Sequence, residues 1–120
     1  MMDPKELGRW GEEQAAEYLS GKGYSILGRN FSCRRGEIDI IAQKGRYVVF
    51  VEVKLRKNAH FAQAREFVTR AKQQRVIAAA MMWLVKSRSQ LQPRFDVIEI
   101  YAPRGIGGPV RIEHMEDAFQ

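Results

Sequence analysis

In residues 4–20 the apolar side chains Leu7, Trp10, Ala15, Tyr18 and Leu19 return at helical spacing, which predicts an amphipathic helix. Pro4 fits its first turn, and Gly21 and Gly23 fit its stop. The period then shortens. Residues 24–31 alternate loosely, residues 37–42 read as a short strand, and residues 47–53 are dense in β-branched and aromatic side chains, so three consecutive strands are expected. Lys44-Gly45 separates the last two so closely that an antiparallel hairpin is the simplest connection. Residues 55–62 lose periodicity and predict a loop, and residues 65–86 then carry a long helical stretch. Within it, residues 76–85 are apolar nearly all round, which predicts burial on more than one side, against the sheet and against a second subunit of a homodimer. Pro93 ends a linker, residues 95–101 make a fourth strand, residues 103–109 a Gly-rich loop, and residues 110–114 a fifth short strand before a tail, 115–120. The order α-β-β-β-α-β-β predicts a layered α/β domain spanning residues 1–120. Its sheet is expected to be mixed, because one tight hairpin is antiparallel while the fourth strand follows a helical crossover.

The hairpin register decides which side chains can cooperate. With Lys44-Gly45 as the turn, Ala42 faces Tyr47 and Asp39 faces Phe50. Side chains alternate along a strand, so Phe50, Glu52 and Lys54 share one face and Asp39 joins them, diagonal to Glu52 at roughly 7–8 Å. A three-residue loop would move Asp39 to the other face.

Glu52 and Lys54 end a run that is otherwise apolar on both faces, where an unpaired charge is costly. A divalent cation between Asp39 and Glu52 would offset the repulsion of two carboxylates, and Mg2+ needs only one or two such ligands beside phosphate and water oxygens. Lys54 would then face a bound phosphate and stabilise charge there. An ion pair at a strand end, Glu52 with Lys54 or Asp39 with Lys54, accounts for the same residues, and the pattern leaves both readings open. On the first helix, Glu13 and Glu17 project away from the apolar face, whereas Glu12 lies on its flank near Leu19 and can approach the sheet, although an exposed helix acid is the reading its geometry alone favours.

Charge sharpens this picture. The chain of 120 residues is 45% apolar, enough for one domain with a core, and carries a net charge of +6 with a pI near 9.8, which favours anionic partners such as nucleic acid. Seven basic residues, Lys54, Arg56, Lys57, Arg65, Arg70, Lys72 and Arg75, stand against the single acid Glu66 in the segment 54–75. Lys72 and Arg75 are one helical turn apart and share a face suited to phosphates, and Arg34 and Arg35 extend the track. Cys33 is the only cysteine, so a disulfide within the chain and a thiolate zinc site are both excluded. His60 and His114 are isolated, Gly105 to Gly108 lacks the lysine and following helix of a phosphate loop, and Met81, Met82 and Trp83 read as core or dimer contacts. No apolar run approaches the length of a membrane span and residues 1–10 are too charged for a signal peptide, so a cytoplasmic location is expected.

Gly36-Glu37-Ile38-Asp39, a spacer, and Phe50-Val51-Glu52-Val53-Lys54 resemble the signature of the PD-(D/E)xK nuclease superfamily. With Gly11-Glu12, Arg56 and Phe95-Asp96-Val97-Ile98 added, the chain resembles more narrowly the bacterial YraN family, itself similar to archaeal Holliday-junction resolvases. The resemblance covers residues 7–119. It implies a restriction-endonuclease-like fold in which Asp39 and Glu52 hold Mg2+ or Mn2+, Lys54 assists the attack, and Glu12 completes the acidic set. Ile38 stands where the superfamily has proline, and an extended residue serves equally there.

The expectation is therefore a metal-dependent endonuclease acting on DNA, branched or otherwise structured, with Arg34, Arg35, Arg56, Lys72 and Arg75 contacting phosphates. A non-catalytic nucleic-acid-binding module of the same fold is the alternative, and a protein that docks a partner through its apolar second helix is a third.

Overall fold

The computed structural model describes residues 3–56 and 68–120. Its elements are α1 (Pro4–Gly21), β1 (Ser25–Cys33), β2 (Gly36–Lys44), β3 (Tyr47–Arg56), α2 (Arg70–Ser87), β4 (Gln92–Tyr101) and β5 (Arg111–Phe119). The five strands form one sheet in sequence order, antiparallel except where β4 runs parallel to β3 after the α2 crossover. This is the α/β arrangement with a mixed sheet between helices that the hydrophobic pattern predicts. No described helix is long and apolar enough to cross a membrane.

Each helix has a local reason to start where it does. Asp3 caps α1 by accepting the backbone N–H of Glu6 at 2.8 Å, with Pro4 in the first turn. Thr69 caps α2 in the same way through the N–H of Lys72. Helix α2 thus begins at Arg70, inside the expected 65–86 span: Val68 and Thr69 are not helical, and residues 65–67 lie outside the described residues. Most of the expected loop, residues 57–62 with Lys57 and His60, also lies outside them, while Leu55 and Arg56 extend β3.

The sheet separates two apolar layers. On the α2 side Ile41, Val48, Phe50, Phe95 and Val97 pack against Val76, Ala79 and Ala80. On the α1 side Ile40, Ala42, Val49, Val51, Ile98 and Ile100 pack against Ala15, Ala16 and Leu19. Strand β3 is therefore covered on both faces, which explains its unbroken apolar run.

Helix α2 buries one side only. Met81, Met82 and Val85 are exposed, Val85 at 76%, while Trp83 packs edge-to-face on Phe50. Of the burial expected on two sides of the stretch 76–85, the sheet side is present, through Val76, Ala79, Ala80 and Trp83, whereas Met81 and Met82 are not core residues and lie on the face expected to meet a second subunit. A second correction concerns the chain end. Residues expected as a tail after 114 continue β5 to Phe119, which stacks on Phe95. A bulge between Phe95 and Val97 brings them together, and Asp117 takes a left-handed φ of 51° opposite it. Pro93 likewise lies inside β4 rather than in a linker, on a stretch that β5 does not pair.

Candidate active site

The β2–β3 hairpin sets the site. Lys44 pairs with Tyr47, so the two turn residues are Gly45 and Arg46 rather than Lys44 and Gly45. Gly45 supplies the reason, since its φ of 60° suits the first central position of a hairpin turn that favours glycine. The register consequently moves by two residues from the expected one. Ile41, not Asp39, faces Phe50, and Asp39 lies one step beyond the Ile40–Val51 pair, level with Glu52. A two-residue shift preserves the alternation of faces, so the acids come closer than the diagonal spacing expected.

Beyond Ile40 the two strands fork. The pairing of β2 with β3 ends there, and the Asp39 carboxylate fills the gap by accepting the Val53 backbone N–H at 2.8 Å. Ile38 and Ile41 both lie in the α2-side layer despite opposite parity, so β2 breaks its alternation around this point. Asp39 thereby occupies the space between the strands rather than a flat strand face.

Glu52 is 5% exposed, and its Oε2 has no hydrogen-bond partner among the described residues. Lys72 on α2 approaches that oxygen to 3.7 Å. Burial pushes the Glu52 carboxyl up to about 8, helped by a proton shared with Asp39 and by the Asp39 charge, while Lys72 and Lys54 pull the other way. Two carboxylates form a hydrogen bond only while one holds a proton, which leaves Oε2 unpaired once both are ionised.

Glu12 reaches the fork from α1. Burial raises its carboxyl above the usual range, the charge of Asp39 adds to this, and Asn30 and Arg29 oppose it. The neighbouring Gly11 lies against Leu55 at the end of β3, at a distance where a Cβ would make an ordinary van der Waals contact. Among the described residues, however, no group of three or more His, Cys, Asp or Glu side chains converges to hold a metal ion. The acid pair is Asp39 with Glu52, and Glu12 stands beside it as a third charge. The unpartnered, buried Oε2 opposite Asp39 makes this pair an oxygen donor set suited to a hard divalent cation.

Four of the five predicted phosphate contacts meet in one place. Arg34, Arg35, Lys72 and Arg75 line a cleft of about 290 Å³ with Ser32, Gly36 and Glu37, between the start of β2 and the first turns of α2. Arg56 is held elsewhere, at 3.3 Å from the carboxylate of Glu99. Lys54 lies level with Glu99 in the parallel β3–β4 ladder.

The sequence-based candidates leave out two buried acids of β4. Glu99 also accepts the Tyr101 hydroxyl at 3.1 Å. Asp96, fully buried, accepts two bonds from Arg94 at 2.9 and 2.8 Å and the Asp117 N–H at 3.0 Å, and contacts His114 Nε2 at 2.7 Å. Burial drives the Asp96 carboxyl up, but His114, Arg94 and the Asp117 N–H together bring it below the usual range. Two acids inside the otherwise apolar run 95–101 were the signal that could have found them.

The fold and the acid pair define an α/β protein that carries its candidate site at a strand fork in a mixed sheet. The chain belongs to the family described as Uncharacterised protein family UPF0102, whose model matches residues 11–100, and this is the YraN family its motifs resemble. A UPF0102 protein of Geotalea daltonii is 48% identical over 118 residues, covering 98% of this chain and 91% of the relative. One of Flavobacterium psychrophilum is 41% identical, covering 99% and 98%, and one of Caldanaerobacter subterraneus subsp. tengcongensis is 42% identical, covering 98% of each.

Proposed function

We propose that this protein is a metal-dependent endonuclease of the PD-(D/E)xK type that hydrolyses phosphodiester bonds in cytoplasmic DNA. The observation that carries the proposal is the buried, unpartnered Oε2 of Glu52 level with Asp39 at the strand fork, beside a cleft lined by Arg34, Arg35, Lys72 and Arg75. Asp39 and Glu52 would hold Mg2+ or Mn2+, with Glu12 adding charge next to them. Such an ion supplies charge neutralisation at a phosphate and a more acidic water. The residues themselves do the rest. Asp39 is fixed by the Val53 N–H, so its second oxygen is preset. Lys54, on the α2 side of β3 with Glu52, offers an ammonium to the developing charge. The cleft cations anchor the backbone on one side of the cut.

Incubation with linear, flapped and four-way-junction DNA in Mg2+ and in Mn2+ tests the proposal. Cleavage abolished by Asp39→Ala and by Glu52→Ala, with folding intact, is the expected result. Unchanged cleavage in either variant would remove it.

The cleft lined by Arg34, Arg35, Lys72 and Arg75 would by itself also serve a second reading, a nucleic-acid-binding module without catalysis. That protein would bind DNA with steep salt dependence and cut none of these substrates with either metal.

A further inference from the structure

Lys72 is the residue common to the acid pair and the basic cleft. Its Nζ lies 3.7 Å from Glu52 Oε2, and its side chain also lines the cleft with Arg34, Arg35 and Arg75. A distance of 3.7 Å is too long for a hydrogen bond, so the contact is Coulombic and Oε2 stays unpaired. The backbone of Lys72 is pinned by the Thr69 cap, whereas its four-carbon stem is flexible and its side chain is 30% exposed. One ammonium serves either Glu52 or a ligand in the cleft.

We infer that Lys72 is a resident counter-cation that holds Glu52 when the acid pair is empty and, displaced by a divalent ion, turns into the cleft to take a nucleic-acid phosphate. This inference rests on the metal reading of the acid pair proposed above. It makes occupancy of the pair and DNA binding mutually reinforcing, because a free energy that links two sites acts equally in both directions.

A double-mutant cycle tests it without reference to cleavage. Binding of a fluorescein-labelled DNA duplex is measured in EDTA above pH 8, where Glu52 carries its charge, for the wild type, Glu52→Gln, Lys72→Met and the double variant. Glu52→Gln frees Lys72 and should tighten binding by about two- to fivefold, the size of a partly exposed ion pair. The gain should vanish in the double variant. Isothermal titration with Mn2+ alone should show Lys72→Met binding the ion more tightly than the wild type by a similar factor, with Lys72→Gln as a second substitution and thermal melting to verify the fold of each. A Lys72→Met loss of DNA affinity equal in both Glu52 backgrounds overturns the inference. So does Mn2+ affinity indifferent to Lys72. No Mn2+ binding by the wild type overturns the metal reading itself.

Discussion

The Asp39 carboxylate accepts the Val53 backbone N–H at 2.8 Å and so replaces the strand pairing that ends at Ile40 and Val51. One side chain thus holds the fork and faces Glu52. Removing it has two opposed effects on stability. An unpaired buried N–H costs about 1–3 kcal/mol, while loss of the Asp39 charge relieves Glu52. Asp39→Asn keeps an acceptor for Val53 and loses the charge, so it should melt at or above the wild-type temperature in EDTA. Asp39→Ala should melt lower than Asp39→Asn, and both should fail to gain stability from Mn2+. Thermal melts of the three proteins decide this, and Asn melting below Ala would show that the Val53 contact does not hold the fork.

Gly36 governs how closely β2 approaches α2. A Cβ placed there would lie 2.6 Å from the carbonyl oxygen of Arg75, a backbone atom that cannot rotate away. Gly36→Ala must therefore push the helix off the strand. We expect a loss of about 1–3 kcal/mol in urea unfolding, as for other overpacked contacts. Lys72 and Arg75 ride on the same helix, so DNA affinity should fall as well. Gly28→Ala, where a Cβ meets nothing within 4 Å, is the matched control and should leave DNA affinity unaltered.

Much of this was legible in the residues. Period-two and period-3.6 patterns predicted all seven elements in their order, and the alternation of Phe50, Glu52 and Lys54 placed the acids on a common side. What was not legible depended on contacts distant in sequence. The turn residue Gly45 fixed a register two places from the expected one, because a turn type is set by backbone angles that the letters Lys44-Gly45-Arg46 leave open. Strand β5 runs to Phe119 because Phe95 stacks on it, which no local pattern in 115–120 announces. Lys72 looked like a phosphate ligand alone; its approach to Glu52 exists only once α2 packs across β3.

In the middle of β4, Asp96 satisfies Arg94, the Asp117 N–H and His114 in a site with no exposure of its own. Removing one partner of such a buried ion pair leaves an uncompensated charge and typically costs about 3–5 kcal/mol. Asp96→Ala should therefore destabilise the protein by that order in urea unfolding, far more than an exposed substitution such as Val85→Thr, expected within about 0.5 kcal/mol. A loss below about 1 kcal/mol for Asp96→Ala would mean that solvent replaces the network freely.

Glu52 and Asp96 should leave opposite marks on stability as a function of pH. The Asp96 carboxyl is held below its usual value in the folded protein, so its contribution is present above the usual carboxylate range and lost as pH falls through the folded value. Glu52 is raised from 4.5 to about 8, so the folded state binds a proton that the unfolded state releases. Its contribution is fully present below about 4.5, declines across the interval and is gone above about 8. The slope attributable to Glu52 is at most about 1.4 kcal/mol per pH unit, the limit for one proton. Glu52→Gln cannot ionise and should remove that slope, so variant and wild type should differ least near pH 4.5 and most near pH 8, with the variant the more stable there. Melts in EDTA across this range measure it, and parallel curves for the two proteins would show that Glu52 titrates normally. Adding Mn2+ at pH 8 should restore wild-type stability and leave Glu52→Gln unmoved, which separates a carboxylate suited to a cation from one that is merely buried.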